Sequence, residues 1–347
     1  MARLDTCPHC GATRLGSEVD LSVVVPAFNE EESLEAFYAA LHGELERLDL
    51  RWELIIVNDG SRDRTAGIIR QLHERDSRVQ GLLFARNFGH QVAISAGIAH
   101  AQGRAVIVMD ADLQHPPELI PEMVRLWREG NHVVYTIRTY GPEVGRFKRL
   151  SSEMFYNVIN KVSNINLIPG AADFRLMDRR VVDYLNAMPE NARFVRGMVS
   201  WLGFKQVGIP YTAAPRFAGT SKYSLTKMLA FAVEGITSFS TRPLRWSMYL
   251  GFFVALSVVP YSILAIYQHL FTNLTVPGWS SLIVAISFLG AVQLIFLGIL
   301  GEYIGRIYTE VKRRPLYTIE EKIGFQGAVE AGYETTEPPA HEFRRVG

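Results

Sequence analysis

Between Trp246 and Gly301 the chain carries no Lys, Arg, Asp or Glu. Two apolar blocks fill this span, Trp246–Tyr267 and Ser280–Leu300, separated by a polar break from Gln268 to Gly278 that includes Asn273 and Pro277. Each block has about 21 residues, and at ~1.5 Å per residue it can cross a hydrocarbon core ~30 Å thick. A buried helical hairpin is the alternative, but soluble cores rarely need two consecutive blocks of this length. The expectation is a two-helix transmembrane anchor. Cations flank its outer ends, Arg242 and Arg245 before it and Arg306, Lys312, Arg313 and Arg314 after it, whereas the short connection has none. The positive-inside rule then places both outer ends in the cytoplasm, as in a multi-pass protein of the inner (plasma) membrane.

Ahead of the anchor the sequence alternates short apolar runs with amphipathic stretches. Leu21–Val25, Trp52–Val57, Val79–Phe84, Ala105–Met109 and His132–Ile137 read as strands, being short, nearly unbroken and rich in β-branched and aliphatic residues. Glu30–Leu48, Arg64–Arg75, Gln91–Ala101 and Pro116–Glu129 read as the helices between them. This alternation predicts an α/β domain with a mostly parallel sheet. Ligands of such sheets bind beyond the carboxyl ends of the strands, so the residues after each strand are the candidates for chemistry.

Past Arg138 the alternation stops, and Gly141–Tyr223 is a mixed stretch with many Arg, Lys, Asn and Gly. Ser224–Ser240 then reads as an amphipathic helix, with Leu225, Met228, Leu229, Ala232, Val233 and Ile236 near helical spacing. It could lie at the membrane interface or pack on the catalytic domain. After Ile323 the tail is polar, with Pro338 and Pro339, and is expected to be disordered. The resulting division is an extension (1–20), a catalytic domain (21–223), an interface helix (224–243), two membrane helices (244–301) and a cytoplasmic tail (302–347). The first 20 residues are charged and lack an apolar core, so they are not expected to act as a signal peptide.

The net charge of +1 gives no reason to expect a nucleic-acid partner. The two cysteines, Cys7 and Cys10, make no disulfide framework and suit a reducing compartment. Their single C-x-x-C pair falls short of the four ligands of structural zinc, unless subunits share a site. Oligomeric state is otherwise open, although the anchors could associate.

Three acidic clusters follow strands. Pro26-Ala27-Phe28-Asn29-Glu30 comes after the first, Asn58-Asp59-Gly60-Ser61 after the second and Asp110-Ala111-Asp112-Leu113-Gln114 after the fourth. Two carboxylates flanking one residue at a strand end can aim oxygens at Mg²⁺ or Mn²⁺, which also take diphosphate oxygens. Asp59 can accept a hydrogen bond from the N3–H of uracil, although Asn-Asp-Gly-Ser is also a good turn sequence by itself. There is no G-x-x-x-x-G-K-[ST] loop and no G-x-G-x-x-G after the first strand, which disfavours P-loop hydrolysis and dinucleotide redox chemistry.

Pro26–Glu30, Asn58–Ser61, Arg86-Asn87-Phe88-Gly89, Asp110–Gln114 with Pro116-Pro117-Glu118, and Asp173-Phe174-Arg175-Leu176 resemble the successive motifs of glycosyltransferase family 2. The resemblance is to its polyisoprenyl-phosphate branch, which includes dolichol-phosphate mannose synthase and bacterial enzymes acting on undecaprenyl phosphate. It covers about Leu21 to Ile323. It implies a GT-A-type fold and inverting transfer of one sugar from a nucleotide-sugar to a polyisoprenyl phosphate. UDP-glucose is the first donor to test, with other UDP-sugars and GDP-mannose open. By the same resemblance Pro26, Phe28, Glu30, Asp59, Asp110, Arg216 and Lys222 contact the nucleotide-sugar, with Arg216 also catalytic. Asp110, Asp112 and Gln114 hold Mg²⁺ or Mn²⁺, and Arg138, Lys148 and Arg149 bind the acceptor phosphate. Asp112 and Asp173 fall at catalytic positions, and Asp173 is expected to orient groups rather than remove a proton. One departure is His115, where the family commonly has an acidic residue. Rival readings are a processive polysaccharide synthase, against which Arg242 stands where a Q-x-x-R-W motif has Gln, and a non-catalytic membrane scaffold.

Overall fold

The computed structural model describes residues 4–6, 13–15, 19–139, 168, 170–212, 244–245, 249–254, 256, 260, 263, 267, 271 and 278–325. All five expected strands are present: β3 (Leu21–Ala27), β4 (Trp52–Asn58), β5 (Val79–Phe84), β6 (Ala105–Val108) and β7 (Val133–Thr139). Before them β1 (Leu4–Thr6) and β2 (Thr13–Leu15) form a separate antiparallel hairpin, with Cys7 and Cys10 outside the described residues. Three further strands were not anticipated: β8 (Ala171–Asp178), β9 (Gln206–Thr212) and β10 (Ile319–Ile323). Among the described residues, one eight-stranded sheet runs β10-β5-β4-β3-β6-β8-β7-β9. Four of its seven pairings are parallel; β10 with β5, β6 with β8 and β7 with β8 are antiparallel.

Every residue of β3, β4 and β6 is buried, as expected of central strands covered on both faces. Leu21, Val23 and Val25 point into one core with α1 (Leu34–Glu46), α2 (Thr65–Arg75) and α4 (Ile120–Arg128). Val24, Ile55 and Val57 point into the other with α3 (His90–His100), α5 (Arg179–Ala187) and α6 (Val195–Trp201). Helix α1 shows why these segments fold this way: Leu34, Phe37, Leu41 and Leu45 lie on one stripe and are buried. Each such side chain contributes roughly 1.5–3 kcal/mol on burial. Gly97 lets α3 seat directly on the sheet, since a Cβ there would lie 2.2 Å from Val24 Cγ1.

Helix α1 begins at Leu34, not at the expected Glu30. The amides of Glu30 and Glu31 are drawn away, donating to Thr65 Oγ1 (3.0 Å) and Asp63 Oδ2 (3.2 Å). Likewise Pro116–Glu129 resolves into a 3₁₀ turn, Pro117–Leu119, and then α4.

The second apolar block forms α7 (Trp279–Val311), longer than the expected 280–300. Within it Phe288–Val311 has a mean hydropathy of 1.7 and none of it is buried, making it the one helix among the described residues long and apolar enough to cross a membrane. Of the first block, residues 249–254, 256, 260, 263 and 267 are described and helical, as is Phe271 just beyond it. Of the expected two-helix anchor, the described residues thus supply one helix of membrane-spanning length and composition. The expected interface helix, Ser224–Ser240, lies outside the described residues. Beyond α7 the chain returns to the sheet. Strand β10, expected as part of a separate tail, pairs along the outer edge of β5, and Arg70 closes an ion pair with Glu321 (2.5 Å).

Candidate active site

Strands β3, β4 and β6 are mutually parallel, so their carboxyl ends, and the acidic clusters that follow them, open on one edge. Strand β8 is antiparallel to β6, with Val108 opposite Arg175, so its beginning reaches the same edge and brings Asp173 beside Asp110. The parallel run of β7 and β9 also ends there, with Arg138 exposed near the end of β7. Lys148, Arg149, Arg216 and Lys222 lie outside the described residues.

The loop after β3 and the loop after β4 are knitted together. Asn29, at φ 56°, accepts from Arg62 N (3.0 Å), its own amide donates to Ser61 Oγ (2.9 Å), and Ser61 N donates to Asn58 Oδ1 (3.0 Å). Phe28 projects outward at 46% exposure, and Pro26 is buried within β3. Glu30 accepts a short hydrogen bond from Ser33 Oγ. Asp59 is 3% exposed, and its two carboxylate oxygens accept from Phe88 N (2.6 Å) and Gly89 N (2.9 Å). Burial pushes its carboxyl pKa up despite these two bonds. Asp59 thus braces segment 86–89 from within, and the turn in this stretch is closed by Asn58, which accepts from Ser61 N.

Gly60 makes that contact possible. It sits at φ 67°, and an added Cβ would lie 2.4 Å from Arg86 C and 2.6 Å from Asn87 N. Both neighbours are backbone and cannot rotate away. Gly60→Ala is expected to destabilise the domain by more than about 1 kcal/mol, because alanine resists positive φ. Chemical denaturation measures this, and an unchanged midpoint would contradict it.

The sequence reading assigned no role to His90, Gln91 or Arg196, yet they connect the acidic groups. His90 Nε2 bonds Asp110 Oδ1 at 2.8 Å, Gln91 Nε2 donates to Asp173 Oδ2 at 3.4 Å, and Arg196 Nη2 donates to Asp173 Oδ1 at 3.1 Å. Gln91 Oε1 in turn accepts from Val195 N at 3.0 Å, tying α3 to the start of α6. His90 and Gln91 directly follow the Arg-Asn-Phe-Gly motif, which was the available signal; Arg196 had none.

Charge sets the protonation states. Burial alone would lower the His90 pKa, but Asp110, with Asp173 and Asp59 behind it, raises it. Burial pushes Asp110 up, but the hydrogen bond from His90, added to the electrostatic attraction of His115 and His90, outweighs it, so its pKa falls. Desolvation likewise opposes ionisation of Asp173, yet Arg196, then Arg175 and His90, hold it down to about 2. Arg175 is 3% exposed, and burial pulls its pKa down to about 10 against the attraction of Asp173.

Asp110, Asp112 and Gln114 offer two carboxylates and an amide oxygen on one tight turn, in which Leu113 takes φ 58° and Gln114 N donates to Asp112 Oδ1 (3.1 Å). No group of three or more His, Cys, Asp or Glu is arranged to hold a metal ion by itself among the described residues. This all-oxygen set fits Mg²⁺ or Mn²⁺, which use few protein carboxylates and take further oxygens from phosphates and water. The turn is fixed from below. His115 Nδ1 accepts from Asp110 N (3.0 Å), and its buried ring stacks on Phe174 at 5.3 Å. The departure at His115 thus puts a rigid acceptor under the acidic turn.

Residues 22–185 match the glycosyl transferase family 2 model. The uncharacterized glycosyltransferase YkcC of Bacillus subtilis is 44% identical over 90% of this chain and 97% of its own length. The SfII prophage-derived bactoprenol glucosyl transferase of Shigella flexneri is 44% identical over 87% of this chain and 97% of its own. The chain belongs to glycosyl transferase family 2. A prophage bactoprenol glucosyl transferase homolog of Escherichia coli is 43% identical, over 86% of this chain and 98% of its own. These similarities agree with the polyisoprenyl-phosphate branch of family 2 that the motifs implied, and the observed sheet with the α/β, GT-A-like fold expected of it. The family 2 match contains Asp59, Asp110, Asp112 and Asp173 but ends before Arg196, β9 and β10.

If the Asp110–Gln114 turn of this family 2 chain holds the cation, His115→Leu is expected to weaken Mn²⁺ binding about 10- to 100-fold, the usual cost of losing a group that orients a ligand. His115→Asn, whose Oδ1 can replace Nδ1 as acceptor, should keep most of the affinity. Electron paramagnetic resonance of free Mn²⁺ reads both, and equal affinities in the two variants would refute the role.

Proposed function

We propose that this chain transfers a single sugar from a nucleotide-sugar to a polyisoprenyl phosphate at the cytoplasmic face of a membrane. The observation that carries this reading is the convergence of Asp110, Asp112 and Asp173 with His90 on one sheet edge, from three separate segments. The identity with bactoprenol glucosyl transferases over nearly their whole length supports the acceptor class. UDP-glucose is the donor of first choice.

Asp110, Asp112 and Gln114 would hold Mg²⁺ or Mn²⁺, and a cation there neutralises charge on the departing nucleotide diphosphate. Arg216 and Lys222 would contact the same diphosphate, with Phe28 and Asp59 near the nucleotide. Arg138, Lys148 and Arg149 would orient the acceptor phosphate for attack on the anomeric carbon. A phosphate monoester has a second pKa of about 6 and is largely ionised at neutral pH, so the nucleophile needs no strong base. Asp173 is poorly suited to be one, being held at about 2 by Arg196 and Arg175. Its role here is to hold Arg196 and Gln91 at the cleft.

A parity argument supports two membrane crossings. Strands β9 and β10 belong to one sheet, yet residues 213–318, including α7, run between them. A chain that leaves a sheet and rejoins it on the same side of a bilayer crosses an even number of times. If α7 crosses once, a second crossing lies between 213 and 278, where Trp246–Tyr267 is the apolar block available. Among its described residues Phe252, Phe253, Leu256 and Ile263 are more than half exposed, which suits lipid contact.

A panel of radiolabelled nucleotide-sugars, undecaprenyl phosphate and Mg²⁺ or Mn²⁺ tests the reading. The expected product is one sugar on the lipid phosphate. A growing saccharide chain would indicate a processive synthase, and no product with any donor would favour the scaffold.

A further inference from the structure

The cytoplasmic end of α7 is joined to the active cleft at two points. The first is Glu310, in the last turn of α7. Its Oε1 accepts from Asn191 N (2.9 Å), and its Oε2 accepts from Asn191 N (3.1 Å) and Asn191 Nδ2 (2.9 Å). Asn191 lies in the connection from α5 to α6, which Arg193 also pins through Leu185 O (3.0 Å) and Met188 O (2.7 Å). Four and five residues further on are Val195, whose amide holds Gln91, and Arg196, which pairs with Asp173. The second point follows a sharp reversal at Arg313, φ 46°. Tyr317 stacks on Phe84 at 5.1 Å and 13°, and Thr318 O accepts from Ala85 N (3.1 Å) just before β10 joins β5. Phe84 packs edge-on against Phe88, whose amide is held by Asp59.

The end of α7 and the segment that follows it therefore grip two of the segments that line the cleft, 188–196 and 84–91. A lipid-linked phosphate is confined to a fixed depth at the bilayer surface, so it reaches the donor only if the cleft stands at a matching height and tilt. We infer that Glu310 is a positioning residue that sets the cleft relative to the membrane, through its clamp on Asn191, for an acceptor presented by the bilayer. This rests on the proposed function, in which α7 crosses the membrane and the acceptor is a polyisoprenyl phosphate. Charge-assisted hydrogen bonds suit the task, being about twice as strong as neutral ones. Without the carboxylate, the connection before α6 loses its tie to the helix while every group in the cleft remains.

The test compares two acceptors with the full chain in lipid nanodiscs: undecaprenyl phosphate in the bilayer and a short, water-soluble isoprenyl phosphate. For Glu310→Ala, kcat/KM toward the bilayer acceptor is expected to fall about 10- to 100-fold, the scale of a misplacement of about 1 Å. Toward the soluble acceptor it should stay near wild type, as should the Kd for the nucleotide-sugar. Glu310→Gln keeps one oxygen for the Asn191 amide and should be intermediate. Asn191→Ala keeps its backbone amide and should show a smaller loss confined to the bilayer acceptor. These two milder variants decide the matter if Glu310→Ala does not fold. Equal losses on both acceptors, or no loss on either, would overturn the positioning role while leaving the transferase reading intact. Wild-type protein that glycosylates neither acceptor would overturn the transferase reading itself, and the positioning role with it.

Discussion

Replacing Asp112 with alanine is expected to lower kcat/KM for sugar transfer by about 10²- to 10³-fold, the usual cost of removing one group that stabilises developing charge. Asp112 is half-buried on the turn after β6, where its Oδ1 accepts from Gln114 N. The substitution removes a carboxylate oxygen suited to a divalent cation, and with it the tie that orients Gln114. Asp110 is the natural comparison, because it is already engaged by His90 and by the turn above His115. Asp112→Ala should therefore leave folding nearly unchanged while shifting the Mn²⁺ dependence of the reaction to higher concentration. A transfer assay across a Mn²⁺ titration checks both parts. Activity within about twofold of wild type, against the loss of about 10²-fold or more expected here, would remove Asp112 from the proposed metal site.

The second large effect concerns Asp173 and is one of stability as well as rate. Asp173→Asn leaves Arg175, 3% exposed, without its counter-charge. Breaking a buried pair in this way costs about 3–5 kcal/mol, so the thermal midpoint should drop by roughly 10 °C. The wild-type pH dependence follows from the same pair. The folded-state pKa of Asp173 is about 2, below the ordinary aspartate value of about 3.9. A depressed carboxyl stabilises the fold fully above the unfolded value and loses that contribution as pH falls through the folded one. The contribution should therefore fade between about pH 4 and pH 2, and Asp173→Asn should lack this share of the acid sensitivity. Residual activity in the variant should keep both limbs of its pH–rate profile, because the group is ionised throughout the neutral range. Loss of one limb with binding unchanged would instead identify Asp173 as a base.

Much of the architecture was legible because local pattern and tertiary role coincide. Runs such as Val23-Val24-Val25 and Leu54-Ile55-Ile56-Val57 are strands because they are buried on both faces, and such burial leaves a continuous apolar signal. Strand β10, Ile-Glu-Glu-Lys-Ile, left no such signal. It is an edge strand, half solvated, held by main-chain pairing to β5 and by the ion pair of Arg70 with Glu321. Strands β8 and β9 were hidden among polar residues for a related reason: β9 is also an edge strand, and β8 carries the buried charge of Arg175 in mid-strand.

By itself the sequence determined the buried strands β3 to β7 and the helices between them, the strand ends that carry acid, and the apolar blocks, because each depends on spacing along the chain. Tertiary structure alone decided which distant groups meet. Reversal of β8 brings Asp173 beside a turn about 60 residues earlier, and His90, Gln91 and Arg196 acquire partners that no local pattern specifies. Asp59 shows the same limit from the other side: its place after β4 was readable, but its burial under the 88–89 amides was not. Hydrogen bonds and ion pairs between elements act through space over a few ångströms, and sequence separation carries no record of them.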